Sequence, residues 1–411
     1  MLSLLAPLRA YLARRRGSGA ASPEINSRLA LRWRLDLLRG GKVIPMTAWR
    51  DNLITDAGLD AYATAASLLS FLAYPIIGEN ASPTPVRRDS GATTLSQSGN
   101  TVTASGNFFV AADVGRLIKY GTGDTGAECY ISGYTSATVV TVSTSATVAA
   151  QTATVWYVNT AAILTPITGL TWSPETGAAN NYSTPTVAGD VCTVTHQTVL
   201  VSSAFTVAKT ITEIAFTNNG TNAAVFDRDV IQPGAAASIG DQARVTVQLV
   251  TLHSGVTVAA QPNVGTGFST AGTVWLESLG IGGSPAGFSS FSSSGGISGS
   301  GYYLEPSVVY PVTTFTADFS PAAFSATTPR TLTGAIQKNV TVAGYGTGTH
   351  YRDATVLYAI SESVGTVYGF AIGSLPGGKF WFVKFTTPVP KAGTQTLSFT
   401  IRKSWSRVLT N

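Results

Sequence analysis

The chain has 411 residues, of which only 11% are charged, and 42 glycines are spread among small, hydroxyl and β-branched side chains. A disordered chain would carry more charge and fewer apolar residues, so this composition excludes disorder as the general state and calls for a strand-rich, loop-rich fold of two or three domains. The formal charge of +5 is concentrated between Arg9 and Arg39, which leaves the body close to neutral and argues against a nucleic-acid partner.

Met1 to Ser22 contain no acid, and Arg9, Arg14, Arg15 and Arg16 follow the apolar residues Leu2, Leu4, Leu5, Leu8 and Leu12. A secretory signal has the reverse order, although an organelle transit peptide shares the composition. The expectation is a basic N-terminal arm, residues 1–27, with a short amphipathic helix near Pro7. It docks on a neighbouring subunit through Leu4, Leu5, Leu8 and Leu12 with Arg9, Arg14, Arg15 and Arg16, with a membrane surface or plain solvent as the alternatives. Arg28 to Leu37 then alternate strictly, placing Leu29, Leu31, Trp33, Leu35 and Leu37 on one face and Arg28, Arg32, Arg34 and Asp36 on the other, the pattern of a half-buried strand. Gly40-Gly41 tolerates positive φ and turns the chain into a return strand from Lys42 to Trp49, where Pro45 implies an edge or a bulge.

Asp56 is the expected N-cap of a short helix running to about Leu72, with Leu59, Tyr62, Ala63, Ala66 and Leu69 at helical spacing and Asp60 in the first turn. Pro75 requires the helix to stop before it. Trp49, the run Asn52-Leu53-Ile54-Thr55-Asp56-Ala57-Gly58-Leu59 and the later Ile76-Ile77-Gly78-Glu79-Asn80-Ala81-Ser82-Pro83 resemble a pattern near the N-termini of tailed-bacteriophage virion proteins, mostly tail or fibre-like. The resemblance extends through Ala161 to Leu252 and into Arg402-Lys403-Ser404-Trp405-Ser406-Arg407.

Pro83 to Asn100 read as a linker. Thr101 to Asn159 then carry short strands at regular spacing, the mark of a small antiparallel sheet or barrel. Within them, Asp113-Val114-Gly115-Arg116-Leu117-Ile118 and Ile131-Ser132-Gly133-Tyr134-Thr135-Ser136-Ala137-Thr138 resemble a module that recurs in phage structural proteins. Gly121 to Gly126 lack the Lys-Ser/Thr ending of a phosphate loop and read as a hairpin turn. Ala161 to Asn181 form a loop-rich bridge, followed by strands over Asp190–Val201, Thr210–Phe216 and Arg244–Leu252 that are expected to pair with the opening hairpin. His253 to Pro306 are Gly/Ser-rich, a weakly patterned passage expected to present a contact surface. Thr355–Ile360, Thr366–Ile372, Lys379–Phe385 and Thr396–Arg402 read as strands of a further sandwich, with a duplication of the first as one explanation.

The expected fold is therefore mainly β: antiparallel β-sandwich domains, one short helix after the first hairpin and a small inserted β domain. The boundaries are a discontinuous sandwich over 28–90 and 161–255, an insertion over 91–160 and a C-terminal sandwich with Gly/Ser-rich loops over 256–411. Cys129 and Cys192 fall in strands and read as two buried small hydrophobes rather than a bridge. No run approaches eighteen apolar residues, so no transmembrane segment is expected.

Chemistry is sparse in this pattern. His196, His253 and His350 lack metal-ligand spacing, and no G-x-S-x-G elbow is present, so no metal, cofactor or catalytic residue is assigned. Glu213, Asp227 and Asp229 supply the residue types of a glycosidase pair, but Asp227-Arg228-Asp229 reads more simply as an ion cluster in a turn. Asp353 and Glu362 stand at strand ends without a partner. The resemblance and the charge-poor β composition together imply a non-enzymatic structural subunit of a phage particle, located in the virion, in its tail, baseplate or neck. Its partners would be copies of itself and other virion proteins. The alternatives are a receptor- or glycan-binding fibre component using Trp172, Tyr182, Phe288, Phe291, Tyr302 and Tyr303 against a host surface glycan, a capsid decoration or head fibre, and a polysaccharide depolymerase.

Overall fold

The computed structural model describes residues 24–64, 74–83, 86–121, 127–156, 163, 165–178, 181–182, 186–188, 191–217, 225–256, 263–264, 272–278, 311–316, 336–375 and 379–408. The protein is mainly β, with one α-helix among the described residues. The N-terminal arm up to Pro23 lies outside them, as do Phe288, Phe291, Tyr302 and Tyr303.

The opening strand spans Glu24–Arg39, longer at both ends than its alternation suggests. One edge pairs antiparallel with the strand Gln242–Val256 along nearly its whole length, from Glu24 opposite Val256 to Leu38 opposite Gln242. The other edge is shared in succession. Glu24 to Leu29 run parallel to Arg402–Arg407 of the closing strand, Leu31 to Trp33 pair with Arg50–Asn52, and Asp36 to Arg39 pair with Lys42–Pro45. The turn between is made by Gly40 and Gly41 at φ 55° and 77°, values that a Cβ would strain. The return strand ends at Pro45 rather than running on to Trp49, with the Met46 and Thr47 amides both donating to the Leu35 carbonyl at 3.1 Å.

Thus the opening strand is the centre of a 12-stranded sheet, running from Trp172–Pro174 through Val191–Ser202 and Gln242–Val256 to the closing strand Leu397–Arg407 and then Tyr351–Tyr358 and Thr341–Val342. A second sheet of Asp227–Ala237, Lys209–Thr217 and Tyr74–Gly78 packs on it. Leu29, Leu31, Trp33, Leu35 and Leu37 meet Ile77, Ile211, Ile214, Phe216 and Ile231 in one core, so each face of the sandwich contributes alternate residues. Of the three strands expected to pair with the first hairpin, only Arg244–Leu252 does so, with Val245, Val247 and Leu249 buried; Val191–Ser202 pairs instead with that strand's other edge, and Lys209–Thr217 lies in the second sheet.

Residues 87–156 build a separate six-stranded sheet in the order Arg87–Asp89, Ala153–Trp156, Leu117–Tyr120, Glu128–Ser136, Val139–Gln151, Leu95–Ala104. It has its own core of Leu95, Val102, Ile118, Ile131, Val140 and Val155, which also holds the free thiol of Cys129. The last third contributes to two sheets: its closing strand enters the main sheet, while Lys379–Lys391 and Gly365–Leu375 belong to a five-stranded one. The Gly/Ser-rich passage is also more ordered than its composition implies at its start. The strand from Gln242 continues through His253 to Val256, and Gly272–Ser278 pairs with Lys379–Phe385.

Candidate functional site at the seams of the sandwich

The helix Asp56–Thr64 is fixed by residues from four distant segments of the chain. Its N-cap is Thr55, not Asp56: the Gly58 amide donates to Thr55 Oγ1 at 3.1 Å, while that hydroxyl donates to the Val225 carbonyl at 2.7 Å. The Thr55 amide donates to the Phe226 carbonyl at 2.8 Å. Asp56 is thereby freed to accept from Arg407 of the closing strand and, at 3.5 Å, from the Tyr130 hydroxyl of the six-stranded unit. Asp60, one turn on, accepts from the Tyr345 hydroxyl and from the Gly348 amide at 2.9 Å, with His350 Nε2 at 3.6 Å. Burial lowers the His350 pKa, with Asp60 pulling the other way. Trp405 donates its indole N–H to the Leu59 carbonyl at 2.9 Å and packs edge-on against Tyr62.

The Asp227-Arg228-Asp229 run is not a turn. It opens the strand Asp227–Ala237 and is buried, because Phe216, Ala215 and Ile214 pair with its three residues and exclude water. Register settles what the carboxylates do. Glu213 lies on the same face as Arg228 and accepts from its Nε at 3.0 Å, whereas Asp227 and Asp229 point to the opposite face of the sheet. Asp229 accepts from Arg50 Nε at 2.9 Å and from the Val230 amide at 2.7 Å. Burial pushes the Asp227 carboxyl well above its usual range, with the Asp229 charge adding to the effect. It also raises Asp229, against the pull of Arg50. The three acids therefore occupy two faces of one strand pair instead of flanking a common groove.

His196 is 1% exposed, and burial lowers its pKa to about 4, so it is a neutral core residue. Its ring lies 3.4 Å from the Thr198 hydroxyl. The His253 side chain lies outside the described residues. Asp353 and Glu362 do have partners: Arg402 grips Asp353 at 2.8 and 2.9 Å, and Lys338 meets Glu362 at 2.7 Å. Trp172 is half-buried against the main core. It pairs with Ser202 while Tyr182 pairs with His196, six residues along the same strand, so about 20 Å separates them and no joint stacking platform results.

One arrangement has little signal in the sequence. On the outer face of the main sheet, Arg244 donates to Asp36 at 2.8 Å and grips Glu175 with three bonds of 2.8 to 3.0 Å. Asp36 also meets Arg34 at 3.2 Å. These groups border a solvent-open cleft of about 400 Å³ lined by Arg34, Trp49, Glu175, Gln197, Arg244 and Thr246. Arg32 and Arg34 place their guanidinium carbons 5.0 and 5.5 Å from the Trp49 ring centre. Only the alternation of Arg32, Arg34 and Asp36 hints at it, since Glu175 and Arg244 arrive from far along the chain. Comparison with protein-family models and with curated proteins returns no match.

Proposed function

We propose that this chain is a structural subunit of a bacteriophage particle, in the tail, baseplate or neck, which works through contacts with copies of itself and with neighbouring virion proteins. The observation that carries the reading is what the resembling residues do. Asn52 caps the Leu53 amide at 2.8 Å, Thr55 locks the helix to Val225 and Phe226, and Ile76 to Gly78 pair with Glu213 to Ala215. The stretch shared in style with phage virion proteins thus builds the joint between the two sheets. Ion pairs join segments hundreds of residues apart: Asp56 with Arg407 braces the same joint, and Asp36 with Arg244 braces the outer face of the main sheet. A rigid block that spends its charges on internal bracing presents a charge-poor surface, and such surfaces associate with little desolvation penalty.

The test is sedimentation of the full-length protein together with imaging of particles assembled with and without residues 1–22. Self-association at micromolar concentration and defective particles on deletion are expected. A monomer at high concentration, with deleted particles assembling normally, would overturn the proposal.

A further inference from the structure

We infer that the cleft on the outer face of the main sheet binds a carbohydrate carrying a carboxylate, an acidic sugar of the uronate or sialate type. Trp49 is 38% exposed, although its ring is already engaged by Arg32 and Arg34. An exposed indole held in place by two cations is a pre-ordered platform, since its two torsions are fixed before any ligand arrives. A pyranose has a face of C–H groups that packs on such a ring and an edge of hydroxyls that needs planar donors and acceptors. Glu175, Gln197 and Arg244 supply those around the same cleft.

The polar wall is rigid. Gln248 accepts from Arg32 Nε at 2.6 Å and donates to Gln197 at 2.5 Å, while Arg244 is anchored on both Asp36 and Glu175. Hydrogen-bond partners fixed by a second layer keep their geometry when water leaves, which is what discrimination among hydroxylated ligands requires. A peptide or lipid would need an apolar lining, and here only Trp49, Val199 and Ala178 are apolar. The volume of about 400 Å³ lies at the small end of ligand pockets, suited to one or two sugar rings.

Arg34 selects the acid. Arg34 and Arg244 line the cleft with Glu175, and Arg244 holds both Glu175 and the buried Asp36. Arg34, whose side chain is 34% exposed, meets the shared Asp36 through one nitrogen at 3.2 Å and keeps further guanidinium donors for a ligand. A guanidinium fork matches a carboxylate in two parallel bonds. A carboxylate on the sugar takes those donors in that geometry, whereas a neutral sugar offers them hydroxyls alone.

Titration calorimetry on the full-length protein tests this with D-glucuronate, N-acetylneuraminate, D-glucose and sodium acetate. An acidic monosaccharide is expected to bind with a dissociation constant on the order of 1 mM, with glucose and acetate at least about tenfold weaker. Trp49→Ala should lose the acidic sugar, and Trp49→Phe should retain part of the affinity. Arg34→Gln should bring the acidic sugar down to the level of glucose. Circular dichroism of each variant establishes that it is folded. Binding of neither acidic sugar to the native protein would overturn the inference. So would acetate binding as tightly as the sugars, or unchanged affinity in folded Arg34→Gln. Sedimentation of the same Arg34→Gln sample reads the assembly role independently.

Discussion

Replacing Gly58 by Ala sets two effects of opposite sign against each other. Alanine in a helix is favoured over glycine by about 1 kcal/mol, so helix propensity alone predicts stabilisation. The structure predicts the reverse. A Cβ at Gly58 would lie 2.5 Å from the Phe226 carbonyl oxygen, 2.7 Å from Ile54 Cγ2 and 3.0 Å from Phe226 Cα. Two of those neighbours are backbone and cannot swing aside. Phe226 is held by its amide N–H, which donates to the Phe216 carbonyl at 2.8 Å, and by its carbonyl, which accepts from the Thr55 amide at 2.8 Å. The helix must therefore move outward by about 0.5 Å or more to reach even a tight contact. That shift loosens the Thr55 bonds to Val225 and Phe226 together. Overpacking of this kind costs about 1–3 kcal/mol, and each loosened bond adds roughly 1 kcal/mol. After the gain in propensity is subtracted, the net loss is about 3 kcal/mol. Equilibrium urea unfolding followed by the fluorescence of Trp33 and Trp405 measures it, with Gly344→Ala, where a Cβ meets nothing within 4 Å, as the control. An unchanged or higher midpoint for Gly58→Ala would refute the reasoning, because it would mean the helix is not wedged against Phe226.

Glu213→Gln leaves Arg228 buried without its counter-ion and should destabilise by about 3–5 kcal/mol, while the paired change Glu213→Leu with Arg228→Met should recover most of that in the same urea assay. His196, with its pKa lowered to about 4 in the fold against 6.5 in the unfolded chain, takes no proton between those values while the unfolded chain does. Stability should therefore fall on acidification from pH 6.5 to 4, by up to roughly 3 kcal/mol from this residue. The raised carboxyls Asp227 and Asp229 act with the opposite sign, so the reading is the difference in slope between native protein and His196→Gln. Equal slopes would exclude a buried neutral His196. Burial pushes the Cys129 thiol up to about 11. In a Cys192→Ala protein it should resist maleimide at pH 8 and label fully in denaturant, and rapid native labelling would contradict that packing.

Much of the main core is legible in the sequence because it is written at period two. Leu29 to Leu37 and Val245 to Leu249 alternate, and both inner faces are buried where the pattern puts them. The outer face is not legible in the same way. Alternation marks Arg28 and Asp36 as outward, yet they are 4% and 1% exposed. What covers Asp36 is Arg244, a partner that no local window contains. The buried strand at Asp227 fails for a related reason: three consecutive ionic residues look like a turn until Arg50 meets Asp229, Glu213 meets Arg228 and burial raises the Asp227 pKa. At the helix start, Thr55 and Asp56 are both good caps by residue type. The choice falls to Thr55 because its backbone is already bonded to Phe226, which leaves the Asp56 carboxylate available to Arg407. The Gly/Ser-rich composition around it also hid the strand Gly272–Ser278, whose Thr-Val-Trp run favours a strand and pairs with Lys379–Phe385.

Local and distant pairings are divided between the parts of the protein. In the 87–156 unit two of the five neighbouring strand pairs follow each other in sequence, such as Glu128–Ser136 with Val139–Gln151, and the others also lie within the unit, so the loops they close are short beside those of the main sheet. The main sheet is the opposite case: the pairing of Glu24 to Leu29 with Arg402 to Arg407 closes a loop of nearly the whole chain. That edge of the opening strand, left without its partner, would be a template for other strands. Ion pairs sit at such distant contacts, Asp56 with Arg407 and Arg50 with Asp229. Because the cost of removing such charges from water offsets much of their attraction, their main effect is to make a mis-docked segment costly, by leaving an acid or a guanidinium buried alone. The proposed role as a repeating subunit would need that property, since one wrongly closed copy spoils the faces offered to its neighbours.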